Sequence, residues 1–123
     1  MRILIADDSV VVRERLINLL VSLDGIDVVD QAEDAIEARI LAEKLRPDVV
    51  ILDLRMPNGS GADVLHDIKK NLKPAPKVIM LTNYAQPENR KKCMENGADH
   101  FFDKSTEFQK VVSTLKDMLH GQG

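Results

Sequence analysis

Residues 3–9 read Ile3-Leu4-Ile5-Ala6-Asp7-Asp8-Ser9, an apolar run that ends in two acids and a serine. Four apolar residues bounded by polar ones fit a buried strand, because a helix needs a longer periodic pattern. Ser9 is a preferred N-cap residue, since its hydroxyl can accept a hydrogen bond from a backbone N–H group of the first helical turn. The stretch therefore predicts a strand that leads into a helix, with two carboxylates at the carboxyl end of the strand.

The same strand-then-helix pattern recurs along the rest of the chain. Further apolar runs occupy residues 26–29, 49–52, 78–81 and 101–102. Between the runs, apolar residues repeat at helical spacing, as in Val12, Leu16, Leu19, Leu20 and Leu23. This alternation predicts one α/β domain, a (βα)5 flavodoxin-like, doubly wound parallel sheet with strand order 2-1-3-4-5.

Helix starts are indicated by capping-box spacing, and helix ends by proline and glycine. The boxes pair Asp34 with Glu37 and Thr106 with Gln109, and the stops are Pro47, Pro74, Pro76 and Gly97. The helix predicted between residues 87 and 96 differs from the others, because Cys93 and Met94 are its only core-forming residues. We expect it to be the least anchored element and a candidate for movement.

The composition excludes several classes of protein. The 123 residues include 17 Lys and Arg against 20 Asp and Glu, a formal charge of -3, and 44% are hydrophobic. A single cysteine cannot form an internal disulfide, and no apolar stretch approaches the ~18 residues of a membrane span. No signal peptide, zinc-ligand spacing or basic stripe is present, so we expect a cytoplasmic protein without direct nucleic-acid or membrane binding.

Polar residues follow the predicted strands, at the edge where open parallel sheets bind ligands. They are Asp7, Asp8, Asp30, Asp53, Thr82 and Lys104. Asp8 and Asp53 lie together if the first and third strands are neighbours. Carboxylates about 4 Å apart repel by roughly 4 kcal/mol per pair at an effective dielectric near 20, so they must be protonated or hold a cation. Ligands that are all oxygen atoms favour Mg²⁺.

A hydroxyl at Thr82 and an ammonium at Lys104 suit a phosphoryl group, which predicts a phosphoryl-transfer site with a carboxylate acceptor. Each residue has a plain structural alternative, since Asp and Thr commonly cap helices and lysines are commonly solvated. We assign Asp30 to such a structural role. The other polar residues all stand at strand ends, which is improbable by chance and therefore favours a phosphoryl-transfer site.

Over essentially its whole length the sequence resembles the receiver domain of two-component response regulators. The matching segments are residues 3–9, Asp53-Leu54-Arg55-Met56-Pro57 with Gly59-Ser60-Gly61, residues 78–82, and Gly97-Ala98-Asp99 leading to Lys104. The resemblance implies that Asp53 is the phosphoacceptor and that Asp7 and Asp8, together with Asp53, hold Mg²⁺. The backbone carbonyl of Arg55 is the further metal ligand that it implies.

The resemblance also implies that Thr82 binds the phosphoryl group, that Lys104 pairs with it, and that Phe101 occupies the aromatic switch position. Arg55 and Tyr84 would flank the mouth of the site. We expect their bulk to hinder the attacking water and so to tune dephosphorylation; the alternative is that both are solvated residues without a kinetic role.

The sequence departs from the family pattern at three positions. Ser105 follows Lys104 where the family usually has proline, and we expect a trans peptide bond there because a non-proline cis bond costs ~3 kcal/mol or more. Ala35 follows Asp34 where glycine is common, which strengthens a helix start. Phe101 lacks a hydroxyl, so its switching must depend on packing.

The function that the resemblance implies is that of a phosphoacceptor, which assists its own phosphorylation and dephosphorylation but is not an enzyme. A sensor histidine kinase, a histidine phosphotransfer protein or a small phosphodonor would supply the group. Phosphorylation would draw Thr82 inward, let Phe101 turn inward, and switch the face of the fourth helix, fifth strand and fifth helix. That face would control a downstream protein or an output domain, and the domain itself could form a phosphorylation-dependent dimer.

We expect one receiver domain over residues 1–123 with no output domain within the chain, either a single-domain regulator or a receiver from a longer protein. Three other classes compete with this interpretation. A haloacid-dehalogenase-type phosphatase needs a second aspartate two residues after the nucleophile, where Arg55 stands. A nucleotide or flavin binder needs a glycine-rich phosphate loop after the first strand. A receiver-like interaction module that is never phosphorylated has no need of the intact site.

Overall fold

The computed structural model describes residues 1–121, so Gln122 and Gly123 of the expected domain lie outside the described residues. Five parallel strands form one sheet: β1 Arg2–Ala6, β2 Asp27–Ala32, β3 Val49–Leu52, β4 Lys77–Thr82 and β5 His100–Asp103. Five helices alternate with them: α1 Val10–Leu20, α2 Ala35–Leu45, α3 Gly61–Asn71, α4 Pro87–Glu95 and α5 Phe108–Leu119.

The strand order in the sheet is β2-β1-β3-β4-β5, which confirms the predicted flavodoxin-like topology. A two-residue antiparallel pair, Arg55–Met56 with Gly59–Ser60, lies outside this sheet in the loop between β3 and α3. Because β1 and β3 are neighbours, the acids that follow them meet at one edge.

The core forms two layers, one on each face of the sheet. Alternate strand residues point to opposite faces, so Ile3 and Ile5 of β1 pack in a cluster with residues of α1 and α5. Leu4 and Ala6 of the same strand pack in a second cluster with residues of α2, α3 and α4. Strands that are buried on both faces need apolar residues at every position, which explains the uninterrupted runs in the sequence.

Two predicted helix starts are confirmed by their hydrogen bonds. The Ser9 hydroxyl accepts a hydrogen bond from the backbone N–H of Val12 at 3.2 Å, and the Asp34 carboxylate accepts one from the N–H of Glu37 at 2.7 Å. These bonds satisfy N–H groups that have no partner within the helix. The first two helices therefore begin at residues that the sequence marks.

The capping box predicted at Thr106 and Gln109 is wrong. Helix α5 begins at Phe108, after Glu107, and Thr106 lies in the preceding turn. The Glu107 carboxylate accepts hydrogen bonds from the N–H of Asp103 at 3.1 Å and from the Lys110 ammonium at 2.7 Å. It thereby ties the end of β5 to the helix start, a link that capping-box spacing does not reveal.

Strand β2 is the element whose predicted limits differ most from the observed ones. It runs on to Ala32, because Gln31 and Ala32 pair with Ile5 and Ala6 of β1. Backbone pairing of this kind continues through polar residues, so the apolar run underestimates the strand. Among the described residues, no helix is long and apolar enough to cross a membrane.

Candidate functional site

Three carboxylates meet at the carboxyl edge of the sheet, as the sequence predicts. Asp7 and Asp8 follow β1 and Asp53 follows β3, and one carboxylate oxygen from each lies within 4.8 Å of the others. Asp7 is 3% exposed and Asp53 5%, whereas Asp8 is exposed to solvent. Oxygen ligands that converge beside an open position match what Mg²⁺ accepts. The acidic cluster is therefore compatible with metal binding.

Lys104 inserts its ammonium between two of these acids. Its Nζ atom lies 2.7 Å from Oδ2 of Asp7 and 2.7 Å from Oδ2 of Asp53. Its backbone N–H donates to the carbonyl of Thr82 at 2.9 Å, which holds the lysine against the end of β4. The sequence separation between Lys104 and Asp53 is 51 residues, so only the fold brings them together.

The pKa values of two site residues shift in a way that reflects this arrangement. Burial raises the pKa of Asp7 above its ordinary value of 3.8, and the hydrogen bonds from Lys104 and Ser9 only partly oppose that rise. Burial alone would lower the pKa of Lys104, but its hydrogen bonds with Asp53 and Asp7 outweigh that effect and raise it above 10.5. The lysine is therefore held as a cation among the acids.

The backbone around Asp53 is held in place by a close approach of α3. The N–H of Asp53 donates to the carbonyl of Ala6 at 3.0 Å, and the Oδ1 atom of Asp53 accepts from the N–H of Leu54 at 2.7 Å. Gly61, the first residue of α3, donates to the carbonyl of Leu54, and a Cβ atom at Gly61 would overlap the backbone carbonyl of Asp53. Only glycine fits there.

The acids open onto a surface cleft of about 380 Å³. Its lining residues are Asp8, Ser9, Val12, Asp53, Arg55, Met56, Pro57, Asn83, Tyr84 and Lys104. Arg55 and Tyr84 face each other there, with the Arg55 guanidinium carbon 4.1 Å from the centroid of the Tyr84 ring. The structure thus places both residues in the cleft that the sequence predicts them to flank.

Thr82 lies behind this cleft. It is the last residue of β4 and is fully buried, and its hydroxyl accepts a hydrogen bond from the N–H of Tyr84 at 3.1 Å. A hydroxyl that accepts one bond still has its own proton to donate. In this structure the hydroxyl contacts the backbone of the β4–α4 loop, and its predicted contact with a phosphoryl group stays a prediction.

Phe101 already points inward, which differs from the expected turn on phosphorylation. Its ring is 2% exposed, and it belongs to the core layer that includes Cys93 of α4. The Arg90 guanidinium donates to the carbonyl of Phe101 at 3.0 Å and lies near the ring. An apolar ring gains by burial whether or not the site is phosphorylated, so an inward turn is not needed to reach this position.

Two smaller predictions agree with the structure. Asp30 is exposed and accepts a hydrogen bond from the N–H of Gln31 at 2.7 Å, in keeping with the structural role assigned to it. The Lys104–Ser105 peptide bond is trans, and within residues 1–121 the one cis bond joins Lys73 to Pro74.

Sequence reasoning missed Arg13, which is 6% exposed. Its Nη1 atom donates to the backbone carbonyl of Asp7 at 2.7 Å. The buried residues of α1 are Arg13, Leu16 and Leu20, so the arginine occupies the apolar stripe of the helix. A charge at helical spacing with core leucines is the signal that could have identified it.

The comparison that decides the family is the match of a family model, the response regulator receiver domain, to residues 3–116. The chain belongs to this family. The receiver domain is 36% identical over 123 residues to the uncharacterized transcriptional regulatory protein YhcZ of Bacillus subtilis, a match that covers 98% of this chain and 55% of YhcZ. The chain therefore spans about half the length of this curated relative.

Solved structures agree with the family. A two-component response regulator of the LuxR family from Aurantimonas has a TM-score of 0.88 and 30% identity, with 98% of this chain and 86% of that chain covered. A chain of the CheX-CheY-BeF3-Mg²⁺ complex from Borrelia burgdorferi has a TM-score of 0.80 and 30% identity, with coverage of 94% and 89%. Family membership in two-component response regulators does not favour the phosphatase, nucleotide-binding or flavin-binding alternatives.

Proposed function

We propose that the receiver domain accepts a phosphoryl group on Asp53 from a histidine kinase or a histidine phosphotransfer protein, in a Mg²⁺-dependent reaction. The observation that carries the proposal is the position of the Lys104 ammonium, 2.7 Å from a carboxylate oxygen of both Asp7 and Asp53. A nucleophilic carboxylate, a fixed cation and further acids that can hold a metal are the parts that phosphoryl transfer requires.

In the proposed reaction, a carboxylate oxygen of Asp53 attacks phosphorus in line with the bond to the donor. On a phosphohistidine donor the phosphorus–nitrogen bond breaks, and its electron pair returns to the imidazole nitrogen. Asp53 becomes an acyl phosphate and loses its own negative charge, because the electron pair leaves with the imidazole, which a proton on its other ring nitrogen keeps neutral. The phosphoryl group brings its own negative charges into the site. Lys104 then pairs with these oxygens, and the Thr82 hydroxyl donates a hydrogen bond to one of them.

We assign Mg²⁺ binding to the carboxylates of Asp7, Asp8 and Asp53 and to the backbone carbonyl of Arg55. When bound, the ion supplies positive charge that neutralises the phosphoryl oxygens as the charge shifts. The convergence of three carboxylate oxygens within 4.8 Å supports the assignment. So does the likeness to a chain of the complex from Borrelia burgdorferi, whose name includes both BeF3 and Mg²⁺. The domain acts as a phosphoacceptor rather than a classical enzyme.

We further propose that phosphorylation changes the face formed by α4, β5 and α5. The Thr82 hydroxyl accepts a hydrogen bond from the N–H of Tyr84, at the start of the loop that leads to α4. Rotation of the Thr82 side chain toward a phosphoryl group would therefore displace this loop. Cys93 is the only buried residue of α4, so the helix has little packing to hold it. Since Phe101 is already buried, we assign the change to the loop and α4.

The partners of this face are proposals drawn from relatives. YhcZ is named as a transcriptional regulatory protein and extends beyond the region that this chain matches. We propose that the receiver domain controls either an output domain or a separate downstream protein. Backbone NMR shifts across residues 82–104 should differ between the phosphorylated and free forms, and identical shifts there would rule out the switching proposal.

Intact mass spectrometry after incubation with acetyl phosphate and Mg²⁺ tests the phosphoacceptor. We expect one added phosphoryl group on the wild type and on an Asp30→Asn control, and none on Asp53→Asn. Omission of Mg²⁺ should abolish the gain. A wild type that gains no mass, or an Asp53→Asn variant that gains as much as the wild type, would contradict the proposal.

A further inference from the structure

Arg13 presents a buried charge whose partners are mostly neutral. Its Nη1 atom donates to the backbone carbonyl of Asp7 at 2.7 Å, and its Nε atom donates to the side-chain carbonyl of Gln31 at 3.0 Å. Its one acidic partner within residues 1–121 is Glu33 at 3.4 Å, whose side chain is 71% exposed. Because burial of a charge is costly unless it is well paired, stability alone does not explain an arginine here.

We propose that Arg13 is a positioning residue that orients Asp8 toward the cation held by the acidic cluster. The inference rests on the proposed Mg²⁺ site and deepens it. Arg13 touches no carboxylate of the cluster in this structure; it acts through the backbone.

The backbone geometry shows how the arginine reaches Asp8. The carbonyl that Arg13 holds belongs to the peptide bond between Asp7 and Asp8, and a peptide unit is planar. A fixed carbonyl therefore fixes the plane from which the Asp8 backbone continues. Two further hydrogen bonds hold Asp7. Its N–H donates to the carbonyl of Ala32 at 3.0 Å, and its carboxylate accepts from the N–H of Ser9 at 2.9 Å.

Asp8 is the exposed member of the cluster, so burial does not fix its orientation. The Arg13 guanidinium joins the Asp7–Asp8 peptide to Gln31 near the end of β2, and Gln31 pairs with Ile5 of β1. Helix α1 and strands β1 and β2 are thus tied together at the one point where the chain passes from the buried acid to the exposed acid.

Three possible roles of Arg13 predict three different effects of its removal on Mg²⁺ affinity. If Arg13 positions Asp8, its removal weakens Mg²⁺ binding. Residues that orient metal ligands typically contribute 10–100-fold to metal affinity. A purely electrostatic role predicts tighter binding after removal, because a positive charge nearby repels Mg²⁺. A purely structural role predicts unchanged affinity in the folded protein.

The experiment is a calorimetric titration with Mg²⁺ of the wild type, Arg13→Gln and a matched control, Arg2→Gln. Arg2 also donates from Nη1 to a backbone carbonyl, that of Leu45 at 2.6 Å, but it lies at the opposite end of β1. We expect Arg13→Gln to bind Mg²⁺ about tenfold or more weakly, and Arg2→Gln to bind as the wild type does. Thermal unfolding of each variant identifies a temperature at which all are folded.

Equal or tighter binding by Arg13→Gln would overturn the inference. If that variant does not fold, Arg13→Lys decides: it keeps a cation but loses the planar fork, so weaker binding supports the inference and wild-type affinity overturns it. A wild type that binds no Mg²⁺ would instead overturn the metal site itself and this inference with it. If the wild type binds Mg²⁺ and Arg13→Gln binds it with the same affinity, only the role of Arg13 is overturned.

Discussion

The guanidinium of Arg55 lies over the ring of Tyr84, with 4.1 Å between its central carbon and the ring centroid. Arg55 belongs to the loop after β3 and Tyr84 to the loop after β4, and the pair lines the same cleft as Asp53. A cation over an aromatic face contributes about 0.5–1 kcal/mol at an exposed site. Each residue therefore helps to hold the other in place.

Removal of this pair should shorten the lifetime of the phosphoryl group on Asp53. In Arg55→Gly or Tyr84→Ala, water gains access to phosphorus and the remaining partner loses its stacking contact. If the activation free energy for hydrolysis of the acyl phosphate falls by the stacking energy of about 0.5–1 kcal/mol, the rate of phosphate release rises about twofold to fivefold. A phosphate-release assay on the purified phosphorylated protein measures the rate. Decay rates equal to that of an Arg46→Ala control, on the other side of the domain, would show that the pair has no kinetic role.

Substitution of Gly61 should destabilise the domain strongly. A Cβ atom at Gly61 would overlap the backbone carbonyl of Asp53, and backbone cannot move aside as a flexible side chain can. We expect Gly61→Ala to lower the free energy of unfolding by about 3 kcal/mol. Gly121→Ala is the control: a Cβ atom there meets nothing within 4 Å, so its cost is limited to the roughly 1 kcal/mol of an L side chain at a φ of +75°. Urea unfolding measures both, and equal losses would mean that the helix start shifts to accommodate the methyl group.

Loss of the Lys104 charge should destabilise the domain in a way that Mg²⁺ reverses. Lys104→Met leaves the buried carboxylates of Asp7 and Asp53 without their shared cation, a change that typically costs about 3 kcal/mol or more. We expect added Mg²⁺ to restore part of that loss in urea unfolding. Lys110→Met should change stability by less than about 1 kcal/mol, because the Lys110 side chain is 60% exposed and its removal leaves no buried charge without a cation. A Lys104→Met variant as stable as this control would contradict the prediction.

Asp99 should make stability depend on pH in the acid range. Its Oδ2 atom accepts from the Lys69 ammonium and from the N–H of Val78, each at 2.8 Å. Burial alone would raise the pKa of Asp99, but these bonds outweigh it and hold the pKa below the ordinary value of 3.8. Because the folded pKa is the lower one, the contribution is present above pH 3.8 and is lost as the pH falls through the folded pKa.

The test compares unfolding free energies from about pH 6 down to about pH 3. At about pH 6, where Asp99 is ionised, Asp99→Asn should cost about 2 kcal/mol, the scale of hydrogen bonds to a charged group. The wild type should lose this advantage as the pH falls below 3.8, so the two curves converge. Asp67→Asn, which breaks a half-exposed pair with Arg39, is the control. Parallel curves for wild type and Asp99→Asn would show that Asp99 does not titrate in this way.

Much of the site was predictable because its residues stand at the ends of strands. Asp7 and Asp53 directly follow a run of apolar residues, Lys104 follows one after a single aspartate, and parallel strands bring their carboxyl ends to one edge. The contacts between elements were not predictable. The Glu107 link to Asp103 replaces the expected capping box, since which side chain bonds to a free N–H depends on the turn geometry.

Local periodicity and strand-end chemistry are properties of the sequence alone, so the sequence by itself determined the order of strands and helices and the residue types at the site. The tertiary structure decided what depends on packing between distant segments. It buried Arg13 against the Asp7 carbonyl, placed Phe101 inward and laid Arg55 over Tyr84. No sequence pattern marks which residues such contacts join. Which side chains are buried and which ones meet is decided only when the helices pack against the sheet.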